Sequence, residues 1–265
     1  MIEPEMRFPL EITRLLGNTA LQRESIGLSG AGVWMSPELV LKVQPEGPES
    51  RGEAAMMTWL CGKLPTPELV CRVIENGLDY QLMTRVPGAM ACDPRYMSRP
   101  EKLAELLAES LHTLWSVDPS GCPCDQGLEV KLTTARNMVR QGRCDTEWVD
   151  PETYGPGGFS SPEDLLNWLE HNRPSYDPVL SHGDLCLPNI MLEHDRLSGF
   201  VDLGRAGISD RYQDIALCWR SMRDNYSGRY GTAWPGFKPE LLFDALGMQP
   251  DWDKLRYYRL LDELF

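Results

Sequence analysis

The sequence predicts an α+β chain of two lobes, a small β-rich N-terminal lobe and a larger, mainly helical C-terminal one. Three observations predict it. Up to Thr84 the apolar residues fall in short strand-like runs around one helical stretch. Arg85-Val86-Pro87-Gly88 then breaks the pattern, since proline and glycine suit neither a helix nor a strand interior. Beyond it leucine, methionine and tryptophan recur at helical spacing almost to the end. The expected boundaries are residues 1–84 for the first lobe, 85–89 for a hinge and 90–265 for the second lobe. At 265 residues and 42% apolar, the chain can bury substantial cores.

The first lobe opens on a glycine-rich turn, Ser25-Ile26-Gly27-Leu28-Ser29-Gly30-Ala31-Gly32-Val33-Trp34. Glycines let backbone N–H groups approach a phosphate without side-chain clash, so Ser29 and Gly30 are candidate nucleotide contacts. Read alone, the turn is better taken as an ordinary hairpin with a surface lysine. No G-K-[ST] follows, which excludes a Walker loop. The run Leu39-Val40-Leu41-Lys42-Val43 reads as a strand carrying one lysine. From Glu49 to Leu64 the residues Ala55, Met56, Trp59, Leu60 and Leu64 keep helical spacing. Glu53, one turn into that helix, is the expected ion-pair partner of Lys42, with Glu49 as the alternative. Pro65 and Pro67 force an extended link. Strands are expected at Leu69–Val73 and Tyr80–Met83.

In the second lobe, Ser98-Arg99-Pro100-Glu101 has the form of a capping box. It opens a helix whose Leu103, Leu106, Leu107, Leu111 and Leu114 make one stripe. Further helices are expected at about 131–141, 162–172, 211–224, 239–246 and 251–262. Met191-Leu192 and Phe200-Val201 read as two arms of a hairpin. Tyr154–Gly158 and Tyr226–Phe237 read as loops.

Two motifs flank that hairpin. His182-Gly183-Asp184-Leu185-Cys186-Leu187-Pro188-Asn189 has the D-L-x-x-x-N spacing of a kinase catalytic loop, and Val201-Asp202-Leu203-Gly204 has the shape of D-F-G with Leu for Phe. In that chemistry one Asp faces the substrate hydroxyl, while the Asn and the second Asp hold magnesium against the phosphates. Either motif alone has a bland reading, a turn with a bonded histidine or a strand end. Together, downstream of the glycine turn and Lys42, they point to phosphoryl transfer on a protein-kinase-like fold. Asp184 is then the catalytic residue, and Asn189 and Asp202 are the Mg2+ ligands. A protein kinase is disfavoured, because no Ala-Pro-Glu follows Asp202 and only a short loop separates it from Asp210.

A net charge of −13 argues against a nucleic-acid partner and favours a cationic one. Between Cys144 and Asn172 seven carboxylates occur with no Lys or Arg: Asp145, Glu147, Asp150, Glu152, Glu163, Asp164 and Glu170. Glu163 and Asp164 follow Ser161-Pro162 and belong to a helix N-terminus, so they are discounted. The eight cysteines are scattered, and Cys122-Pro123-Cys124 lacks the second pair of a zinc site. Reduced thiols in a cytoplasmic protein are the simpler reading. The acidic N-terminus, Met1-Ile2-Glu3-Pro4-Glu5, is no signal peptide, and no apolar run suits a membrane span.

The sequence resembles the aminoglycoside 3′-phosphotransferases over nearly its whole length. The resemblance rests on Leu64-Pro65-x-Pro67, Gly121-Cys122-Pro123, the stretches Ser181–Asn189, Gly199–Arg205 and Asp210–Ala216, and the ending Leu260-Leu261-Asp262-Glu263-Leu264-Phe265. It implies a bilobal kinase that uses ATP, with GTP as an alternative donor, and Mg2+. The acceptor would be a cationic aminoglycoside such as kanamycin or neomycin. By resemblance, Lys42 and Glu53 serve the phosphates, and backbone groups near Thr84 and Val86 meet the adenine edge. The sugar-facing set is Asp184, Arg205, Arg220, Asp262, Glu263 and the Phe265 carboxylate, with acids of the 145–152 loop. Val40 stands where some relatives stack an aromatic ring on the base. An acid expected after the Arg220 helix falls at or beside Asn225, with Asp224 as its substitute. Rival readings are a choline, sugar or other antibiotic kinase of the same fold, and a catalytically silent binding module. The expected state is cytoplasmic, without membrane or nucleic acid, as a monomer or weak dimer.

Overall fold

A computed structural model describes residues 7–24, 31–146 and 149–265. The first lobe begins with α1 (Leu10–Leu16), too short to announce itself by periodicity. Then come β1 (Gln22–Glu24), β2 (Gly32–Met35), β3 (Leu39–Pro45), α2 (Pro48–Leu60), β4 (Leu69–Glu75) and β5 (Leu78–Thr84). Their strands form one antiparallel sheet in the order β1-β2-β3-β5-β4.

Side chains on a strand alternate between faces, and β3 uses both. Leu41 and Val43 join Ile12, Leu16, Tyr80 and Leu82 in a small core under α1. Val40 packs instead against the large core. Lys42 shares Val40's parity and reaches Glu53 on α2. α2 stops at Leu60, short of the expected Leu64, because Gly62 adopts φ +74°. Leu64 is buried all the same.

Residues 85–88 lead into β6 (Ala89–Met90), which pairs with β8 (Ile190–Glu193) in the sheet β6-β8-β9, completed by β9 (Arg196–Phe200). α3 (Pro94–Met97) precedes α4 (Pro100–Trp115), whose five stripe leucines are all buried. The expected capping box does not form. Ser98 closes α3 with helical backbone (φ −71°, ψ −6°), so it cannot take the extended N-cap conformation, and its hydroxyl donates to Arg95 O at 3.3 Å. Arg99 sits at the N-cap of α4 without a side-chain capping bond, its guanidinium turned to Asp195 instead.

α5 (Leu128–Arg140) and α6 (Pro162–His171) follow, and Ser161 Oγ caps α6 by accepting from Asp164 N–H at 3.2 Å. A short pair unforeseen in the sequence, β7 (Pro178–Ser181) with β10 (Gly207–Asp210), sets Ser181 opposite Gly207. α7 (Arg211–Ser227) runs three residues further than expected, to Gly228 at φ +84°. α8 (Leu241–Leu246) and α9 (Trp252–Asp262) complete the lobe. Its core gathers α4, α7 and α9 around the leucines, Phe243, Tyr257 and Tyr258. Among the described residues no helix is long and apolar enough to cross a membrane.

Candidate active site

Lys42 and Glu53 meet as expected: the ammonium lies 2.9 and 2.8 Å from the two carboxylate oxygens. Gln44, two residues along β3 and so on the same face, donates to Glu53 Oε2 at 2.9 Å. Glu49 points elsewhere, 62% exposed and 3.9 Å from Arg205. The Lys42 ammonium also reaches Asp202 Oδ1 at 2.7 Å, across the lobes. Burial alone would lower the lysine, but Glu53 and Asp202 outweigh it and keep Lys42 firmly cationic.

The loop after β7 carries the first motif. Gly183 stands at φ +79°, and a Cβ there would collide with the Arg205 carbonyl oxygen, so glycine is required. The buried Asp214 braces this loop from α7. Its carboxylate accepts from Ser181 Oγ and Gly183 N–H at 3.0 Å and from His182 N–H at 3.3 Å. His182 Nε2 lies 2.9 Å from Val201 O, and Val201 N–H donates to Asn189 O at 3.0 Å. The two motifs are thereby stitched together.

Asn189 turns its amide nitrogen to Asp184 O at 2.9 Å and to Asp184 Oδ2 at 3.4 Å. Its amide oxygen is left for another partner. Asp202 takes a left-handed backbone (φ +63°), the kind of strain that collects at functional sites. Burial pushes the Asp184 carboxyl up, helped by Asp262 and opposed by Arg205. Burial would raise Asp202 too, but Lys42 overrides it and holds that carboxyl low. Two oxygen donors, Asn189 Oδ1 and an ionised Asp202, suit magnesium, which takes few protein ligands and fills its shell with phosphate and water. Among the described residues no group of three His, Cys, Asp or Glu could hold a metal alone. All eight cysteines are free thiols.

After β5, Thr84 spends its N–H on Glu68 O at 3.0 Å, and Arg85 N–H bonds Glu38 O at 2.8 Å. Val86 is buried beside them, while Val40 packs against the large core. Ser29 and Gly30 lie outside the described residues, as does Glu147.

The expected acceptor residues form a second group beside Asp184. Arg220 Nη2 binds Asp262 Oδ2 at 2.5 Å, Arg220 Nη1 lies 3.8 Å from Glu263 Oε1, and Arg205 lies 3.6 Å from Asp262. Burial would raise Asp262, but Arg220 and Arg205 keep it below the usual carboxylate range. Glu263 is less well compensated, and burial pushes it up to about 7. Asp224 is buried and paired with Arg223 at 2.7 Å and Arg229 at 3.3 Å, the same arginines that hold Asp150. Of the 145–152 loop, Asp150 is buried too. Phe265 places its ring 5.8 Å from the Lys131 ammonium.

Several of these participants escape the sequence reading. Lys131 had a signal, since it occupies the buried face of α5 with Leu132, Ala135 and Val139, where an apolar residue belongs. Burial pushes it down to about 8, against the attraction of Asp262. Gln44 had a signal as well, since it shares the parity of Lys42 on β3 and lies nine residues before Glu53. Asp214 and the arginines around Asp150 had none, because their partners come from distant elements.

The pattern of the phosphotransferase enzyme family matches residues 25–258. A relative from Niallia circulans named aminoglycoside 3′-phosphotransferase is 36% identical, with 100% of both chains covered. The crystal structure of an aminoglycoside-3′-phosphotransferase of type VIII superposes with a TM-score of 0.78 at 30% identity, over 96% of this chain and 97% of that one. A Streptomyces rimosus aminoglycoside phosphotransferase, solved with ADP and streptomycin, shares the fold with a TM-score of 0.75 at 24% identity, covering 96% and 97%.

Proposed function

The chain belongs to the phosphotransferase enzyme family, among the aminoglycoside 3′-phosphotransferases, and from that premise we propose that it transfers the γ-phosphate of ATP to the 3′-hydroxyl of kanamycin- or neomycin-type drugs. It is an antibiotic-resistance phosphotransferase that uses a nucleotide. The observation that carries the finer reading is the contact of Lys42 with both Glu53 and Asp202, next to the bonded pair Asp184–Asn189.

In this reading the residues divide into a donor half and an acceptor half. Lys42, oriented by Glu53, binds the triphosphate from the first lobe. Thr84 and Val86 offer backbone groups to the base, and Ser29 and Gly30 cover the phosphates. Mg2+, when bound by Asn189 and Asp202, neutralises phosphate charge. Asp184 accepts a hydrogen bond from the sugar hydroxyl and aims it in line. Phosphoryl transfer is largely dissociative, so positioning and charge contribute more than deprotonation. Asp262, Glu263 and the Phe265 carboxylate receive drug ammonium groups, while Arg205 and Arg220 hold those acids in place. Asp224, bound to Arg223 and Arg229, shapes the cleft from behind. The lobe boundary at 85–89 serves as the hinge between the halves. The enzyme acts in the cytoplasm, where ATP is found, as a monomer or weak dimer.

The test is transfer of radiolabelled phosphate from ATP to kanamycin, run beside the 3′-deoxy analogue of the drug. Label on kanamycin alone is the expected result. Equal labelling of both would remove the regiochemistry, and labelling of choline in their place would favour the rival small-molecule kinase.

A further inference from the structure

Asp150 sits in the acid-rich loop, yet it is turned inward. Arg223 on α7 reaches its Oδ1 at 2.5 Å, Arg229 reaches the same oxygen at 3.3 Å, and Arg259 on α9 binds Oδ2. Both side-chain oxygens are already taken by arginines, which leaves neither free for a drug ammonium. The arginines hold it well below the usual carboxylate range, at about 2, although burial alone would raise it. The backbone of the same residue does something different. Asp150 N–H donates to both oxygens of Glu263, at 3.2 and 3.1 Å. Glu263 is otherwise poorly held, with Arg220 at 3.8 Å as its nearest cation.

We propose that Asp150 is a positioning residue: the arginines pin its side chain, and its backbone N–H then fixes the Glu263 carboxylate for the acceptor. The inference rests on the proposed reading that Glu263 receives the drug. A chain of contacts follows, from the α7 and α9 arginines through residue 150 to the cleft. Its logic is that of supporting shells elsewhere, where a ligand's orientation depends on the groups behind it. One carboxylate in the acidic loop thus serves substrate binding without touching substrate.

A double-mutant cycle separates this from a structural role. Asp150→Asn, Glu263→Gln and the double variant are compared for kanamycin KM, ATP KM and kcat, with the kanamycin Kd taken by calorimetry. Asp150→Asn is expected to raise kanamycin KM and Kd about tenfold, with ATP KM and kcat within about twofold. In the Glu263→Gln background the same substitution should then add less than about twofold, because its effect passes through Glu263. Arg259→Gln removes one of the pinning groups and provides a milder variant with the same expected direction, useful if Asp150→Asn does not fold. Additive effects, or an unchanged kanamycin KM in both single variants of the clamp, would overturn the positioning role. A wild-type protein that binds no kanamycin would overturn both this role and the proposed function. One that phosphorylates kanamycin while its cycle is additive would overturn this role alone.

Discussion

The Lys42 ammonium lies 2.7 Å from Asp202 Oδ1, joining residues 160 apart in the chain and on different lobes. In the proposed reading the phosphates lie between this lysine and this carboxylate.

Replacing Lys42 by Met should therefore act twice. Glu53, 2% exposed, would keep only Gln44 as a bonded partner, and the loss of its ion pair should cost about 3 kcal/mol of stability. kcat/KM should fall at least roughly a hundredfold through lost charge stabilisation. Urea unfolding and steady-state kinetics read the two effects. Normal turnover in the variant would remove Lys42 from the phosphate site.

Asp184→Asn should spare binding and stop chemistry. Asn can still accept a hydrogen bond at one oxygen, but it lacks the charge that aims the hydroxyl. Turnover should fall at least roughly a hundredfold, with kanamycin and nucleotide Kd values little changed by calorimetry. A turnover near wild type would sink the assignment.

The two proposed magnesium ligands should differ in severity. Asp202→Ala removes a charge held low by Lys42 and should abolish activity at every magnesium concentration. Asn189→Ala removes a neutral oxygen and the bond to Asp184 O, so activity should return, in part, as magnesium is raised. Identical magnesium titrations for the two variants would contradict this division.

Glu263 gives the pH dependence. Its folded value, about 7, lies above the ordinary 4.5. Its contribution to stability is thus fully present below 4.5 and is lost as pH rises through about 7. Drug binding has the opposite sign, since only the carboxylate attracts an ammonium. Kanamycin KM should fall as pH rises from about 6 to about 8, and Glu263→Gln should flatten that slope. This substitution is a better probe than truncating the last three residues, because Leu264 is 0% exposed and its loss would disturb the core as well. A slope that persists in Glu263→Gln would assign the titration to another group.

Much of the fold was legible because local signals agree with tertiary placement. The stripe of α4, the proline link after α2 and the Ser161 cap all rest on nearest-neighbour chemistry. Where a neighbour intervened, the reading failed. Ser98 lost its cap to α3, which ends on that residue, and β7 with β10 is too short to signal itself. The site divides along the same line. Lys42, Glu53, Asp184, Asn189 and Asp202 stood out by spacing, and the structure brings them together. The arginine partners of Asp150 did not, since Arg223, Arg229 and Arg259 look like ordinary surface charges until α7 and α9 pack side by side. The charge of −13 favoured a cationic partner, yet the buried Asp262 and Asp224 are already matched by arginines of the chain itself.

The parity of β3 has an outcome for how this gene can change. Lys42 stands opposite Val33 on β2 and Gln81 on β5, with Leu41 and Val43 committed to the other face. Adding a single codon between Leu39 and Lys42 would swap the ammonium with a core leucine, leaving composition almost untouched while destroying the phosphate site. Two added codons would restore the facing, and one codon placed in the Ser36–Glu38 turn could be absorbed there. Drug selection on an insertion library should therefore pass clones by odd or even count within this strand, a reading-frame rule imposed by geometry rather than by translation.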